Sequence, residues 1–159
     1  MSKEGTPEIA TSGVGLRVVV IVASWHRELT DALLAGSERA LAAAEVASVE
    51  IVRVPGTFEL SVAAARVARS RSAPDAIVAL GVVVRGGTPH FEYVCQAATD
   101  GLNRVALETG IPVGFGVLTC DTVEQARDRA GLPGSSEDKG AEAAEAAIAT
   151  VVALEKYRK

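Results

Sequence analysis

The stretch from Gly81 to Val94, GVVVRGGTPHFEYV, sets two adjacent glycines, a threonine, a proline and a histidine directly behind an apolar run. Paired glycines cost backbone entropy on folding and contribute no packing, so a turn this bare calls for a close approach to its backbone. With Thr88 as the helix cap, Pro89 falls at the first helical position, where its missing N–H is no loss. The amides of Gly86, Gly87 and Thr88 then lie at the positive end of the helix, a setting for phosphate or another oxyanion. A nucleotide P-loop would end in Gly-Lys-Ser/Thr, and a dinucleotide fingerprint would follow the first strand; the chain has neither. The cradle suits a small phosphorylated molecule, the plainer alternative being an ordinary strand-to-helix turn. His90 falls in the first turn of that helix. The macrodipole there disfavours imidazolium while a bound phosphate dianion favours it, a balance suited to proton transfer near neutral pH. A surface or capping histidine is the simpler reading.

Four other residues invite a role beside a structural one. Trp25, the single tryptophan, is a flat wall for an aromatic ring or a packing residue. Glu59 is an acceptor for sugar-like hydroxyls or a helix-start acid. Arg129 and Lys139 flank the loop GLPGSSEDKG; either is a solvated charge by default, and either could reach a phosphate, arginine with a bidentate fork. His26 reads as a helix-start residue.

The elements that must position these groups alternate along the chain. LRVVVIVAS (16–24), VEIVRV (49–54), DAIVALGVVV (75–84) and PVGFGVLT (112–119) read as strands. Helical patterns occupy 26–45, 57–71, Pro89 to about Glu108, 122–130 and 138–157. No Asn-Gly hairpin signal interrupts the alternation, which favours parallel strands with right-handed crossovers. The expected fold is a three-layer α/β/α sandwich around a four-stranded parallel sheet, flavodoxin-like in style. Such sheets bind ligands beyond the carboxyl ends of their strands, and the unusual residues fall at those ends. Residues 1–15 read as a flexible arm or edge-pairing segment, and 16–159 as a single domain.

Composition narrows the function classes. Among 159 residues, 48% are hydrophobic and 4% aromatic, so the core is aliphatic; the mean hydropathy of +0.25 points to apolar surface kept for subunit contacts. No apolar run approaches the roughly 18–20 residues of a membrane span. The net charge of −4, with scattered Lys and Arg, speaks against a nucleic-acid surface. Cys95 and Cys120 form no CxxC pair, and the two histidines lack carboxylates at metal-ligand spacing, so no redox motif or metal site is expected. A reducing cytoplasm is the expected compartment.

Taken together, ASWH, PGTFELS, GVVVRGGTPHFEYV, GFGVLT and DRAGLPGSSEDKGAEAA resemble the lumazine synthase family, collinearly from about residue 16 to 155. The RGxTxHF[DE] element and the later RAG…KG element are specific to it. The resemblance implies condensation of 5-amino-6-ribitylaminouracil with 3,4-dihydroxy-2-butanone 4-phosphate, giving 6,7-dimethyl-8-ribityllumazine, phosphate and water, with no metal or organic cofactor. It implies that Trp25 stacks on the pyrimidine, that Thr57, Phe58 and Glu59 hold the ribityl chain, and that Val82, Val83 and Val84 offer backbone groups to the uracil edge. Gly86, Gly87, Thr88 and Arg129 would bind the phosphate, and His90 would transfer protons. Phe115, Arg129 and Lys139 would come from a neighbouring subunit, so the site would exist only in an oligomer.

Two departures stand out. Gly87 replaces a side chain common in relatives, which implies a looser loop and weaker phosphate binding. GLPGSSEDKG is longer than the compact turn of shell-forming relatives, which favours a free homopentamer; riboflavin synthase is a candidate partner. The rival readings are a flavin or lumazine carrier, an archaeal-type riboflavin synthase and a structural shell protein.

Overall fold

The computed structural model describes residues 11–157. Strand β1 (Arg17–Ala23) is buried at every position after Arg17, as an unbroken Val/Ile run covered on both faces must be. It pairs in parallel with β2 (Ser48–Val54) and with β3 (Ala76–Val84), and β3 pairs in parallel with β4 (Val113–Cys120), giving the order β2-β1-β3-β4. The helices are α1 (Arg27–Ala43), α2 (Leu60–Ala68), α3 (His90–Thr109), α4 (Val123–Arg127) and α5 (Lys139–Leu154).

Alternation along the strands divides the core in two. Val18, Val20, Val22, Val78 and Leu80 pack with Leu33 and Leu41 of α1 and Ala144 and Ile148 of α5. Val19, Ile21, Ile77 and Ala79 pack with Leu60 and Ala64 of α2 and Leu102 and Val105 of α3. This is the expected three-layer sandwich. Leu33 is wholly buried, so Leu33→Ala would cost roughly 2–5 kcal/mol. The layer of α1 and α5 closes tightly because both approaches run over small residues: a Cβ on Gly114 would stand 2.2 Å from the Ala143 carbonyl oxygen, and the buried Ser37 hydroxyl donates to the Gly140 carbonyl at 2.7 Å.

Strand and helix boundaries follow the expected ones closely, with two differences. The helix expected over 57–71 opens as a 3-10 turn, Thr57–Glu59, before α2. Its tightness has a local cause, since the Glu59 carboxylate accepts from the Gly56 amide at 2.9 Å and draws the turn back on itself. Thr88 does not cap α3. Pro89 takes the cap position at φ −64°, ψ −2° with no side-chain bond; its ring presets the helical φ, and the Glu92 amide closes the turn on the Pro89 carbonyl at 3.1 Å. The 1–15 segment, expected to be a flexible arm or an edge-pairing stretch, is described only from residue 11. Residues 1–10 lie outside the described residues, but the Gly13 amide already donates to the Ala44 carbonyl at 2.7 Å and Val14 bridges Val46.

No helix among the described residues is long and apolar enough to cross a membrane.

Candidate active site

Strand β3 outruns β1. Their pairing ends at Val22 with Leu80, whereas β3 continues beside β4 to Val84 and Cys120. Backbone groups along a strand turn alternately to its two neighbours. The Ile77 amide donates to Pro112 and the Arg85 amide to Cys120, so odd-numbered residues of β3 are turned toward β4. Val83 is therefore committed to β4, while the backbone groups of Val82 and Val84 face the space that β1 leaves open. Of the three valines expected to offer main-chain groups, two have them to offer; Val83 contributes its side chain to the wall.

That space is a cleft of about 330 Å³ lined by Trp25, His26, Gly56, Thr57, Phe58, Glu59, the three valines, His90 and Val94. Trp25 is 70% exposed and Phe58 61%. Two large aromatics left bare beside a carboxylate mark a surface meant to be covered. Glu59 spends one oxygen on the Gly56 amide, which fixes its side chain and leaves acceptor capacity for hydroxyls. Thr57 is only 5% exposed and its hydroxyl makes a long bond, 3.4 Å, to the Val82 carbonyl. It lines the cleft from below, with its hydroxyl turned to the protein.

The glycine turn stands at the rim. Gly86, Gly87 and Thr88 are all exposed, and no hydrogen bond from their amides is found among the described residues. Neither glycine has left-handed φ, and a Cβ on either would meet nothing within 4 Å. Nothing in the single chain demands glycine there. His90 follows as the first residue of α3 and faces the cleft, beside amides suited to an anion.

Phe115, Arg129 and Lys139 lie elsewhere, in a second cleft of about 590 Å³ along β4 and α5. The two linings have no residue in common. Within the second cleft the loop folds so that the Lys139 amide donates to the Arg129 carbonyl at 2.9 Å, and Asp138 caps α5 by accepting from Ala141 at 3.0 Å. Phe115 is 46% exposed although it sits in a strand. The Arg129 guanidinium donates to the Gln125 carbonyl at 2.9 Å and joins no ion pair among the described residues, so its charge is available to an anion. Lys139 differs from the solvated charge expected of it. Its side chain is 17% exposed and is ion-paired with Glu137 and with Glu142, the latter at 2.7 Å. Burial opposes the charged ammonium, but hydrogen bonds to those two carboxylates outweigh it and leave its pKa raised. Of the two cations, Arg129 is thus the one with no carboxylate partner among the described residues, and Lys139 is held and protonated.

Two features escaped the sequence reading. His26 lines the first cleft and takes left-handed φ and ψ of 54° and 53° at the cap of α1; histidine tolerates this region better than β-branched residues do. Arg85 joins three elements at the turn, donating to Asp121 at 2.7 Å, pairing with Glu92 and lying 4.2 Å over the Phe91 ring. Its only sequence signal was a charge flanked by apolar strand and glycine. Burial pushes the thiols of Cys95 and Cys120 up, which keeps them protonated and unreactive.

Comparison with known proteins gives one family for the chain. The family model for 6,7-dimethyl-8-ribityllumazine synthase matches residues 15–155. A relative of that name from Kineococcus radiotolerans is 64% identical over 154 residues, covering 97% of this chain and 94% of its own. One from Leifsonia xyli subsp. xyli is 61% identical over 160 residues, covering 99% of each chain. Another, from Streptomyces coelicolor, is 58% identical over 155 residues, with 97% and 95% covered. The chain belongs to the 6,7-dimethyl-8-ribityllumazine synthase family.

Proposed function

We propose that the chain carries out its family's condensation, an enzymatic step of riboflavin biosynthesis, at a site completed by two copies of itself. The observation that carries this reading is the separation of the two clefts, with Trp25, Glu59 and His90 in one and Phe115 and Arg129 in the other. One copy supplies the first set and its neighbour the second. Such a head-to-tail contact closes into a ring, and the extended GLPGSSEDKG loop favours a free homopentamer of 16.4 kDa chains. A cytoplasmic setting and riboflavin synthase as a downstream partner belong to the same proposal.

In this reading ribitylaminouracil stacks on Trp25, pairs its uracil edge with Val82 and Val84, and hands its ribityl hydroxyls to Glu59. The butanone phosphate sets its anion against the amides of Gly86, Gly87 and Thr88 and the neighbour's Arg129. The uracil amine adds to the ketone and a first water leaves; phosphate is then eliminated, and the ribityl-bearing nitrogen adds to the carbonyl so formed, closing the ring with loss of a second water. His90 moves protons beside the phosphate. Holding two reactants in register is the main demand, and effective molarity supplies on the order of 7–11 kcal/mol where alignment is good.

The test is to mix the two substrates with purified protein and follow formation of the fluorescent lumazine. Enzyme-dependent product supports the reading. No product at high protein concentration, with the lumazine still bound, would leave a carrier. Light scattering reads the assembly, and a megadalton particle would overturn the free pentamer.

A further inference from the structure

Gly81 lies near the end of β3, where the sheet would ordinarily present a side chain toward the α2 layer. A Cβ built there would stand 2.5 Å from Thr57 Oγ1, 3.2 Å from Thr57 Cγ2 and 3.1 Å from Leu60 Cδ1. The first of these contacts is closer than real Cβ atoms come. Thr57 therefore occupies the volume that any other residue at 81 would fill. Its hydroxyl reaches the next residue of the same strand, the Val82 carbonyl, at 3.4 Å. Thr57 is also the first residue of the 3-10 turn that carries Phe58 and Glu59. Three facts thus meet in one place: a notch in a buried strand, a buried threonine seated in it, and the turn built on that threonine.

We infer that Gly81 is a positioning residue for the ribityl-bearing substrate, acting through Thr57 to set where Phe58 and Glu59 stand over the cleft. The inference rests on the reading above that this cleft takes ribitylaminouracil. The turn is tied at both ends, the Glu59 carboxylate accepting from the Gly56 amide at 2.9 Å and Thr57 lying buried against β3. Leu60 begins α2 and is wholly buried, so the turn cannot shift outward without drawing a core residue with it. A displacement of Thr57 reaches Glu59 nearly undiminished. The glycine turn and His90 come after the same end of β3, beyond Val84, but they are carried by α3 and not by the turn Thr57–Glu59.

The experiment is a cycle of Gly81→Ala, Thr57→Ala and the double variant, read by steady-state kinetics on both substrates and by thermal melting. Gly81→Ala raises KM for ribitylaminouracil by about tenfold or more while leaving KM for the butanone phosphate within about twofold, a split that general loosening would not produce. Thr57→Ala empties the notch, so adding it to Gly81→Ala brings the ribitylaminouracil KM back to within about threefold of Thr57→Ala alone, a strong coupling between touching residues. Should Gly81→Ala fail to fold, the double variant still folds and shows that same KM. An unchanged ribitylaminouracil KM in folded Gly81→Ala overturns the inference, as does a double variant that is no better than Gly81→Ala or does not fold. Wild-type protein that makes no lumazine would instead sink the proposed function. The melting cycle then decides the seat itself: the double variant melts above Gly81→Ala if Thr57 fills the notch, and an additive cycle overturns it.

Discussion

The Lys139 amide donates to the Arg129 carbonyl across 2.9 Å, setting two cationic side chains on neighbouring backbones at one end of the second cleft. Only one of them is at liberty. Lys139 is engaged by Glu137 and Glu142, whereas Arg129 holds no carboxylate among the described residues.

Arg129→Ala should therefore damage use of the phosphorylated substrate most. Loss of a charge-assisted contact costs about 1.5–3 kcal/mol, or roughly a 10- to 150-fold rise in KM for the butanone phosphate. Arg129→Lys, lacking the fork, recovers part of it. Kinetics in which Arg129→Ala matches the wild type would remove the residue from the site.

His90→Ala should slow turnover by ~10²–10⁴-fold without abolishing it, because proton transfer is only one contribution beside alignment. KM for both substrates should change little. The measurement is single-turnover formation of the lumazine, and a dead enzyme that still binds both substrates would mean that His90 does more than shuttle protons.

Mixing the two crippled variants tests the shared site directly. If one copy gives the His90 half and its neighbour the Arg129 half, unfolding and refolding His90→Ala with Arg129→Ala in equal amounts leaves about a quarter of the sites with both halves intact. Activity should rise accordingly above either parent. No recovery, in assemblies shown by mass to be mixed, would place both residues in one chain's site.

Gly87→Ala should be accepted and should tighten the turn. The position lacks left-handed φ and has open space for a Cβ, so alanine removes unfolded-state freedom worth ~0.4–1 kcal/mol. KM for the butanone phosphate should fall, and melting temperature should rise slightly. A higher KM would show that a ligand or neighbour uses the space that the missing methyl leaves.

Acid should weaken the clamp around the turn. The hydrogen bond from Arg85 holds the Glu92 carboxyl below its ordinary value of 4.5, as Arg53 does for Asp31 and Arg104 for Glu108. A depressed carboxylate stabilises fully above its unfolded value, and that contribution is lost as pH falls through the folded one. Melting temperature should thus hold down to roughly pH 5 and decline below it, with Glu92→Gln declining less steeply. These pairs are exposed, so the effect is small and salt shrinks it further. Identical slopes for wild type and Glu92→Gln would show that the pair adds nothing.

Much of this was open to reading because each element obeys a local rule. The Val/Ile run of β1 could only be a strand covered on both faces, and the unbroken strand–helix alternation left a parallel sheet as its solution. The cluster of Trp25, Thr57, Phe58, Glu59, His90 and the valines followed from strand ends meeting on one edge, and the structure brings them into one cleft. What stayed hidden depends on contacts between distant residues. Period and composition do not show that β3 outruns β1, so the separate standing of Val83 was illegible. The ion pairs of Lys139 depend on how the loop from Arg129 folds back. The left-handed φ of His26 is a backbone state that histidine shares with many ordinary conformations. Pro89 stands at the cap in place of Thr88 because its ring already holds a helical φ.

The uneven lengths of β1 and β3 have a consequence for inhibition. The cleft is a stretch of sheet left unbuilt, and its vacant main-chain groups are those a longer first strand would have claimed. An extended peptide able to lie there would block the enzyme while resembling neither reactant.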